Sequence, residues 1–238
     1  MRLRIALYTR EMKKLLVATS LITSLSIFNA HGASSVTVFA ASSLTESFTQ
    51  IGKQFEKAHS GIKIVFSFQA SSTLLTQIKA GAPADIFVSA EPFSGGSDYL
   101  VNRVVLGVPK TSAITKVSDL NNKKVSWIQC AHEVPCGSTA DAALVGEGLT
   151  SKPISLEPKV SSAVAKLLAG EVDAAIIYRT DVLANKKLRA IEFANKDAAK
   201  TTYQIAQLRK NRWAASFINY LQSKAVLKQM QNRGFEVK

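Results

Sequence analysis

The sequence predicts an α/β fold in which two lobes share crossover strands, and three observations carry that expectation. Strand-like segments alternate with helical ones along the chain, which argues for a layered, mostly parallel sheet. Three stretches run from a β-like segment straight into a hydroxyl-rich helix start: Val36 to Glu46, Ile64 to Leu74 and Glu133 to Thr139. No low-complexity linker and no internal repeat divides the chain, so the lobes are expected to interleave instead of following one another as separate beads.

The elements follow in order. Val36 to Phe39 alternates as a strand, and Leu44 to Lys57 reads as a helix with Phe48, Ile51, Gly52 and Phe55 on one face; Ser43-Leu44-Thr45-Glu46 has the form of a capping box at its start. Ile62 to Phe68 is the next strand, followed by a helix from Ser72 to Ala80 that Gly81 closes. Asp85 to Ser89 is short, apolar and bounded by Pro83 and Glu91, as a buried strand would be. Val104 to Val108 is a strand ended by Pro109, Lys116 to Leu120 a turn or short helix, and Lys124 to Ile128 a strand. Ser138-Thr139-Ala140-Asp141 offers a second capping box, for a helix from Ala140 to Gly146. Val160 to Ala169 places Val160, Val164, Leu167 and Leu168 on one face, with Gly170 as its C-cap. Val172 to Tyr178, Leu188 to Phe193 and Thr202 to Gln207 read as strands, and Ala214, Phe217, Ile218 and Leu221 mark a long terminal helix.

The 238 residues, 47% of them hydrophobic, suffice for a substantial core and exclude a disordered chain. Arg2, Arg4, Arg10, Lys13 and Lys14 precede an apolar stretch from Leu15 to Phe28 that is short and rich in Ser and Thr. Residues 1–33 are therefore read as an export signal, with residues 1–11 an upstream extension if translation starts at Met12. That places the protein outside the cytoplasm, in the periplasm or on the outer face of the membrane. Removing the signal takes the formal charge from +13 to about +9, because its five basic residues and Glu11 contribute +4. Lys and Arg are scattered through the remainder, so a solvated basic surface is expected and not a nucleic-acid site. The only cysteines, Cys130 and Cys136, would meet an oxidising compartment and form a local disulfide; with His132 alone between them they have neither zinc spacing nor a redox Cys-x-x-Cys pattern.

The hydroxyl-rich helix starts suggest chemistry as well as fold. The first N–H groups of a helix are unpaired and carry partial positive charge, so hydroxyls and amides gathered there can hold an oxyanion without a cation. Asp85 and Asp173 are read as caps of strand-end turns and not as catalytic carboxylates.

Taken together, Val38-Phe-Ala-Ala-Ser-Ser-Leu44, Ala70-Ser-Ser-Thr-Leu74, Gln77-Ile-Lys-Ala-Gly-Ala-Pro-Ala-Asp-Ile-Phe87, Glu133-Val-Pro-Cys-Gly137, Ile177-Tyr178 and Gly234-Phe235 resemble the molybdate-binding proteins of bacterial ABC importers, a family of type II periplasmic binding proteins. The resemblance runs from about Val36 to the C-terminus. It implies two α/β lobes joined by crossover strands, with the ligand in the cleft between them: residues 34–107 and 202–238 in lobe one, residues 108–201 in lobe two. It implies a binding protein and not an enzyme, no cofactor, molybdate or tungstate as ligand, a membrane permease as partner, and a monomer. By position, Ser43 and Ser71 would bind the anion from lobe one, with Ser42 and Ser72 as supporting candidates. Cys136 and Val160 would do so through backbone N–H groups and Tyr178 through its phenol, and no residue would ligate a metal cation. Cys136 departs from the small apolar residue common at its position.

A site built only of donors suits molybdate or sulfate, which are fully ionised, whereas monohydrogen phosphate brings a proton that needs an acceptor. Sulfate or thiosulfate is therefore the alternative ligand, and a serine hydrolase using Ser43 the distant one, since the chain lacks a Gly-x-Ser-x-Gly elbow. One region departs from the family pattern: Glu91 to Val101 is shorter by roughly twenty residues. Its Ser94-Gly-Gly-Ser97 piece reads as a flexible bridge, with looser lobe-one packing the expected consequence.

Overall fold

A computed structural model of the chain describes residues 34–237; the export signal read in residues 1–33 lies outside them. Ten strands form one curled sheet, ordered β2-β1-β3-β9-β4-β7-β5-β6, with β8 and β10 also paired to β4. The lobe-one strands are β1 (Ser34–Ala41), β2 (Ile62–Gln69) and β3 (Ile86–Ser89); β1 runs parallel to both neighbours. In lobe two, β5 (Trp127–Cys130) runs parallel to β6 (Ser155–Glu157) and β7 (Ala174–Tyr178).

The expectation of a mostly parallel sheet is corrected at the seam. β4 (Ser97–Pro109) and β9 (Lys200–Gln207) carry the chain between the lobes and pair antiparallel with each other; β3–β9, β4–β7 and the pairing of β4 with β8 (Leu188–Ile191) are antiparallel as well. A strand that leaves one lobe and a strand that returns must run in opposite directions, so the sheet is mixed. β4 begins its pairing with β9 from Ser97 to Arg103 and then pairs with β7 and β8 from Val104 to Pro109, so one strand belongs to both lobes.

Each lobe has its own apolar cluster. Phe48, Ile51 and Phe55 of helix α1 (Thr45–Ala58) pack with Phe217 and Leu221 of lobe one, and Trp127, Ile176, Ile177 and Leu167 belong to the lobe-two core. Fully burying side chains of this size contributes about 1.5–3 kcal/mol each, and the α1 positions read from the sequence are buried accordingly, whereas on the helix that starts at Val160 the expected Leu168 is exposed and Ala163 is buried instead. Helix α2 (Ser71–Lys79) ends at Gly81, whose φ is +93°. Helices α3 (Pro135–Leu144) and α4 (Val160–Ala169) lie in lobe two, α4 matching its expected ends and closing on left-handed Gly170. A short helix, α5 (Arg179–Ala184), follows β7, and it, β6 and β10 (Glu236–Val237) are additions to the elements expected from the sequence. The expected long terminal helix is two helices, α6 (Arg212–Leu221) and α7 (Lys224–Asn232), because Ser223 caps the second by accepting from the Val226 amide. Among the described residues no helix is long and apolar enough to cross a membrane.

The expected flexible bridge is not one. Phe93 stacks obliquely on Phe87 at 4.7 Å, its amide donates to Gln204 Oε1, and Ser97 is already the first residue of β4. The turn needs both glycines: Gly95 has φ +85°, and a Cβ on Gly96 would meet Gln204 Oε1 at 2.6 Å and Phe93 at 2.7 Å. Tyr99, in the strand that follows, is buried and donates to the Leu221 carbonyl, so the short connection is anchored to lobe one on both sides of its exposed tip at Ser94 and Gly95.

Candidate functional site

Six chain segments converge on one cavity of about 20 Å³: the 3-10 turn Ser42–Leu44 after β1, the start of α2 after β2, Ala90 after β3, the start of α3 after β5, the start of α4 after β6, and Tyr178 at the end of β7. In each case the chain leaves the carboxyl end of a parallel strand, the place where open α/β sheets bind ligands. Ser42, Ser43, Ser71, Cys136, Val160 and Tyr178 all line this cavity; Ser72 does not, and its carbonyl instead accepts from Thr76 Oγ1. Ala41, Gln69, Ala70, Ala90, Pro135 and Lys159 complete the lining, so among the described residues no carboxylate faces the cavity.

Neither capping box expected from the sequence forms, and this matters for the site. Ser43 lies inside the 3-10 turn and hydrogen-bonds the Tyr203 hydroxyl at 2.7 Å instead of capping α1. Helix α3 starts at Pro135, five residues before the expected Ala140, because Pro is pre-organised for a first helical position. Asp141 is thereby carried into the helix, where it meets His132 Nδ1 at 2.6 Å and accepts from Gln129 Nε2 at 2.8 Å. The N-caps of α2, α3 and α4 are Ala70, Val134 and Lys159, and none supplies a side-chain cap bond. Their leading amides are therefore available to a ligand, with the partial positive charge of a helix start behind them.

The hydroxyls are set up in the same sense. Ser71 Oγ accepts from the Ala90 amide at 2.8 Å, which occupies its acceptor side and leaves its proton to donate. Tyr203 can serve Ser43 likewise. The Tyr178 hydroxyl is buried without a partner in hydrogen-bond geometry, although Thr201 and Tyr203 lie close enough to offset part of the effect of burial on its acidity. Burial nevertheless pushes that phenol well above its ordinary pKa, so it remains a donor throughout the physiological range. A buried polar atom without a partner costs about 1–3 kcal/mol, and an acceptor in the cavity would relieve that cost.

The lobe-two amides are held by the loop between β5 and α3. Cys130 and Cys136 are joined by a disulfide, with Cα atoms 5.7 Å apart, and the Cys136 side chain is thereby committed to the wall. Gly137 sits so close to the preceding loop that a Cβ would fall 1.9 Å from the Ala131 carbonyl oxygen. Asp85 and Asp173 are tied across the fold and do not cap the turns that follow them: Asp85 accepts from the Thr37 amide, and Asp173 from the amide and hydroxyl of Ser126. Among the described residues no histidine lines the cavity: His59 bonds the Phe55 carbonyl and His132 is turned to Asp141. Among the described residues no group of three His, Cys, Asp or Glu could hold a metal ion.

A two-lobed α/β protein whose strand ends and uncapped helix starts enclose a small donor-lined cavity is a solute-binding protein, and residues 36–236 match the family of bacterial extracellular solute-binding proteins, to which the chain belongs. Within that family, it is 32% identical to the molybdate-binding protein ModA of Mycobacterium tuberculosis strain H37Rv, the match covering 75% of this chain and 74% of the relative. It is 31% identical to the molybdate-binding protein ModA of Haemophilus influenzae over 95% of this chain and all of the relative. The periplasmic molybdate-binding protein of Azotobacter vinelandii shares its fold, with a TM-score of 0.73, 16% identity, and coverage of 85% of this chain and 99% of that one.

Proposed function

We propose that this protein captures molybdate, and tungstate with it, outside the cytoplasmic membrane and delivers it as a monomer to the permease of an ABC importer. The observation that carries the proposal is the cavity itself: hydroxyls from Ser43, Ser71 and Tyr178 converge with the helix starts at Cys136 and Val160, and no carboxylate is present to demand a protonated ligand. The kinship with molybdate-binding proteins supports the choice of ligand. Because both lobes contribute donors, capture is a population shift toward the form in which they meet around the anion, and no bond is made or broken.

The test is a thermal melt and calorimetric titration of the exported chain with molybdate, tungstate, sulfate and phosphate. Molybdate at about a hundred times its dissociation constant stabilises the folded state by about 2.7 kcal/mol and raises the melting temperature by about 5 °C or more. Tyr178→Phe weakens binding by about tenfold while the ligand-free protein is no less stable, since the orphaned hydroxyl is gone. A folded protein whose melting temperature does not move at millimolar molybdate refutes the proposal. Tighter sulfate binding transfers it to the alternative oxyanion, and ester turnover lost in Ser43→Ala would revive the hydrolase.

A further inference from the structure

The anion cavity has one charged lining residue, Lys159, the N-cap of α4. Three observations set it apart from the scattered basic residues of the surface. It is half-buried, no carboxylate pairs with it among the described residues, and its only described hydrogen bond is made by its carbonyl, which accepts from the Ser162 amide. Every other contributor to the cavity is neutral, including the unpartnered Tyr178 hydroxyl. A lysine stem can lie along an apolar wall while the ammonium reaches toward water or toward an anion, so a position beside the Val160 amide lets Lys159 follow the ligand into the cleft.

We propose that Lys159 is a specificity-determining residue that gives this site its preference for a doubly charged tetrahedral oxyanion over a singly charged one of the same shape. Neutral donors recognise oxygens and geometry, and a monoanion of equal size offers both. A full positive charge at the rim interacts about twice as strongly with a dianion as with a monoanion at the same distance. The bond it makes is charge-assisted, and its screening by salt gives the site a signature that neutral hydroxyls and amides lack.

This inference rests on the oxyanion reading of the cavity, and the experiment separates the two. Wild type, Lys159→Gln and Lys159→Arg are titrated calorimetrically with molybdate and with perrhenate, a monoanion of the same tetrahedral shape, at about 20 mM and about 300 mM sodium chloride. Ligand-free melting temperatures confirm that the variants fold. The expected result is that Lys159→Gln binds molybdate about three- to tenfold more weakly at low salt and loses most of the wild-type salt dependence. Its molybdate-to-perrhenate ratio falls by a similar factor, while Lys159→Arg retains the salt dependence. If wild type binds molybdate but Lys159→Gln keeps its affinity, salt dependence and ratio, Lys159 is a bystander and the oxyanion reading stands. If wild type binds neither ion, both fall together.

Discussion

The two walls of the cavity are built differently. Lobe one presents hydroxyls, from Ser43 and Ser71, each already engaged on one side by Tyr203 and by the Ala90 amide. Lobe two presents the starts of α3 and α4 at Cys136 and Val160, residues whose side chains belong to the core. A side-chain donor is located by residue type, whereas a main-chain donor is located only by the path of the backbone. Apart from Tyr178 and Lys159, whose side chains reach the cavity from lobe two, mutations of side chains should therefore be felt mainly at the first wall, and mutations that move the chain mainly at the second.

The largest effect is expected at Gly137. In Gly137→Ala the new Cβ meets the Ala131 carbonyl oxygen, a backbone atom that cannot rotate away, so the loop joining β5 to α3 has to shift and the Cys136 amide with it. The expected cost is about 3 kcal/mol in urea unfolding, accompanied by a loss of at least about tenfold in molybdate affinity. Unchanged stability and affinity would mean that the loop has slack, and the contrast between the two walls would lose its basis.

A crossed pattern is expected from the pair Ser43→Ala and Val160→Ala. Removing the Ser43 hydroxyl weakens binding by about tenfold or more, with only about 1 kcal/mol lost from the ligand-free fold as Tyr203 loses a partner. Shortening Val160, which is buried in the lobe-two core, costs about 1–2 kcal/mol of stability but leaves the amide in place, so affinity stays within about threefold. Calorimetry and denaturant melts on the same two proteins measure both axes. If Val160→Ala costs as much affinity as Ser43→Ala, the side chain and not the amide is what the ligand meets.

This division also explains what could be read from residues alone. The ends of helix α4 were legible because Gly170 takes a left-handed φ that stops it, but its face was only partly so: Val160 and Leu167 are buried as read, whereas Leu168 is exposed and Ala163 is buried in its stead. The strands ahead of Ser43 and Ser71 were legible by their apolar runs, and the hydroxyls marked the turns after them. Helix α3 was misplaced because Ser138 and Asp141 have the spacing of a cap, yet Asp141 is drawn to His132 and Gln129 across the loop, a tertiary pairing that spacing does not encode. Strand β6 is three residues long with Leu156 turned outward, too short to display a period. Lys159 was passed over because one lysine in a basic chain reads as surface, and only its place at a cavity lined otherwise by neutral groups distinguishes it.

Behind the lobe-one wall, Ser43 also borders a second cavity, of about 200 Å³, lined by Glu46, Asp181 and Arg233 among others. It provides the smallest and most specific test. Asp181 Oδ2 accepts from the Tyr178 amide, and burial, with the Glu46 charge adding to it, pushes the carboxyl up to about 7. An acid whose folded pKa is raised binds its proton more tightly in the folded state. Its contribution to stability is thus complete below about 3.8, the ordinary value, and is lost as the pH rises through about 7. A shift of this size corresponds to about 4 kcal/mol if undiluted, but Asp181 retains some exposure at the cavity edge, and about 1–2 kcal/mol is the expected change. Asp181→Asn keeps an acceptor for the Tyr178 amide and removes the titration. Wild-type stability should fall relative to the Asn variant between pH 4 and pH 8 in parallel urea melts. Curves that run parallel across that range would mean that water reaches the carboxylate freely, and the hydrogen bond to the strand end at Tyr178 would then be made at no electrostatic cost.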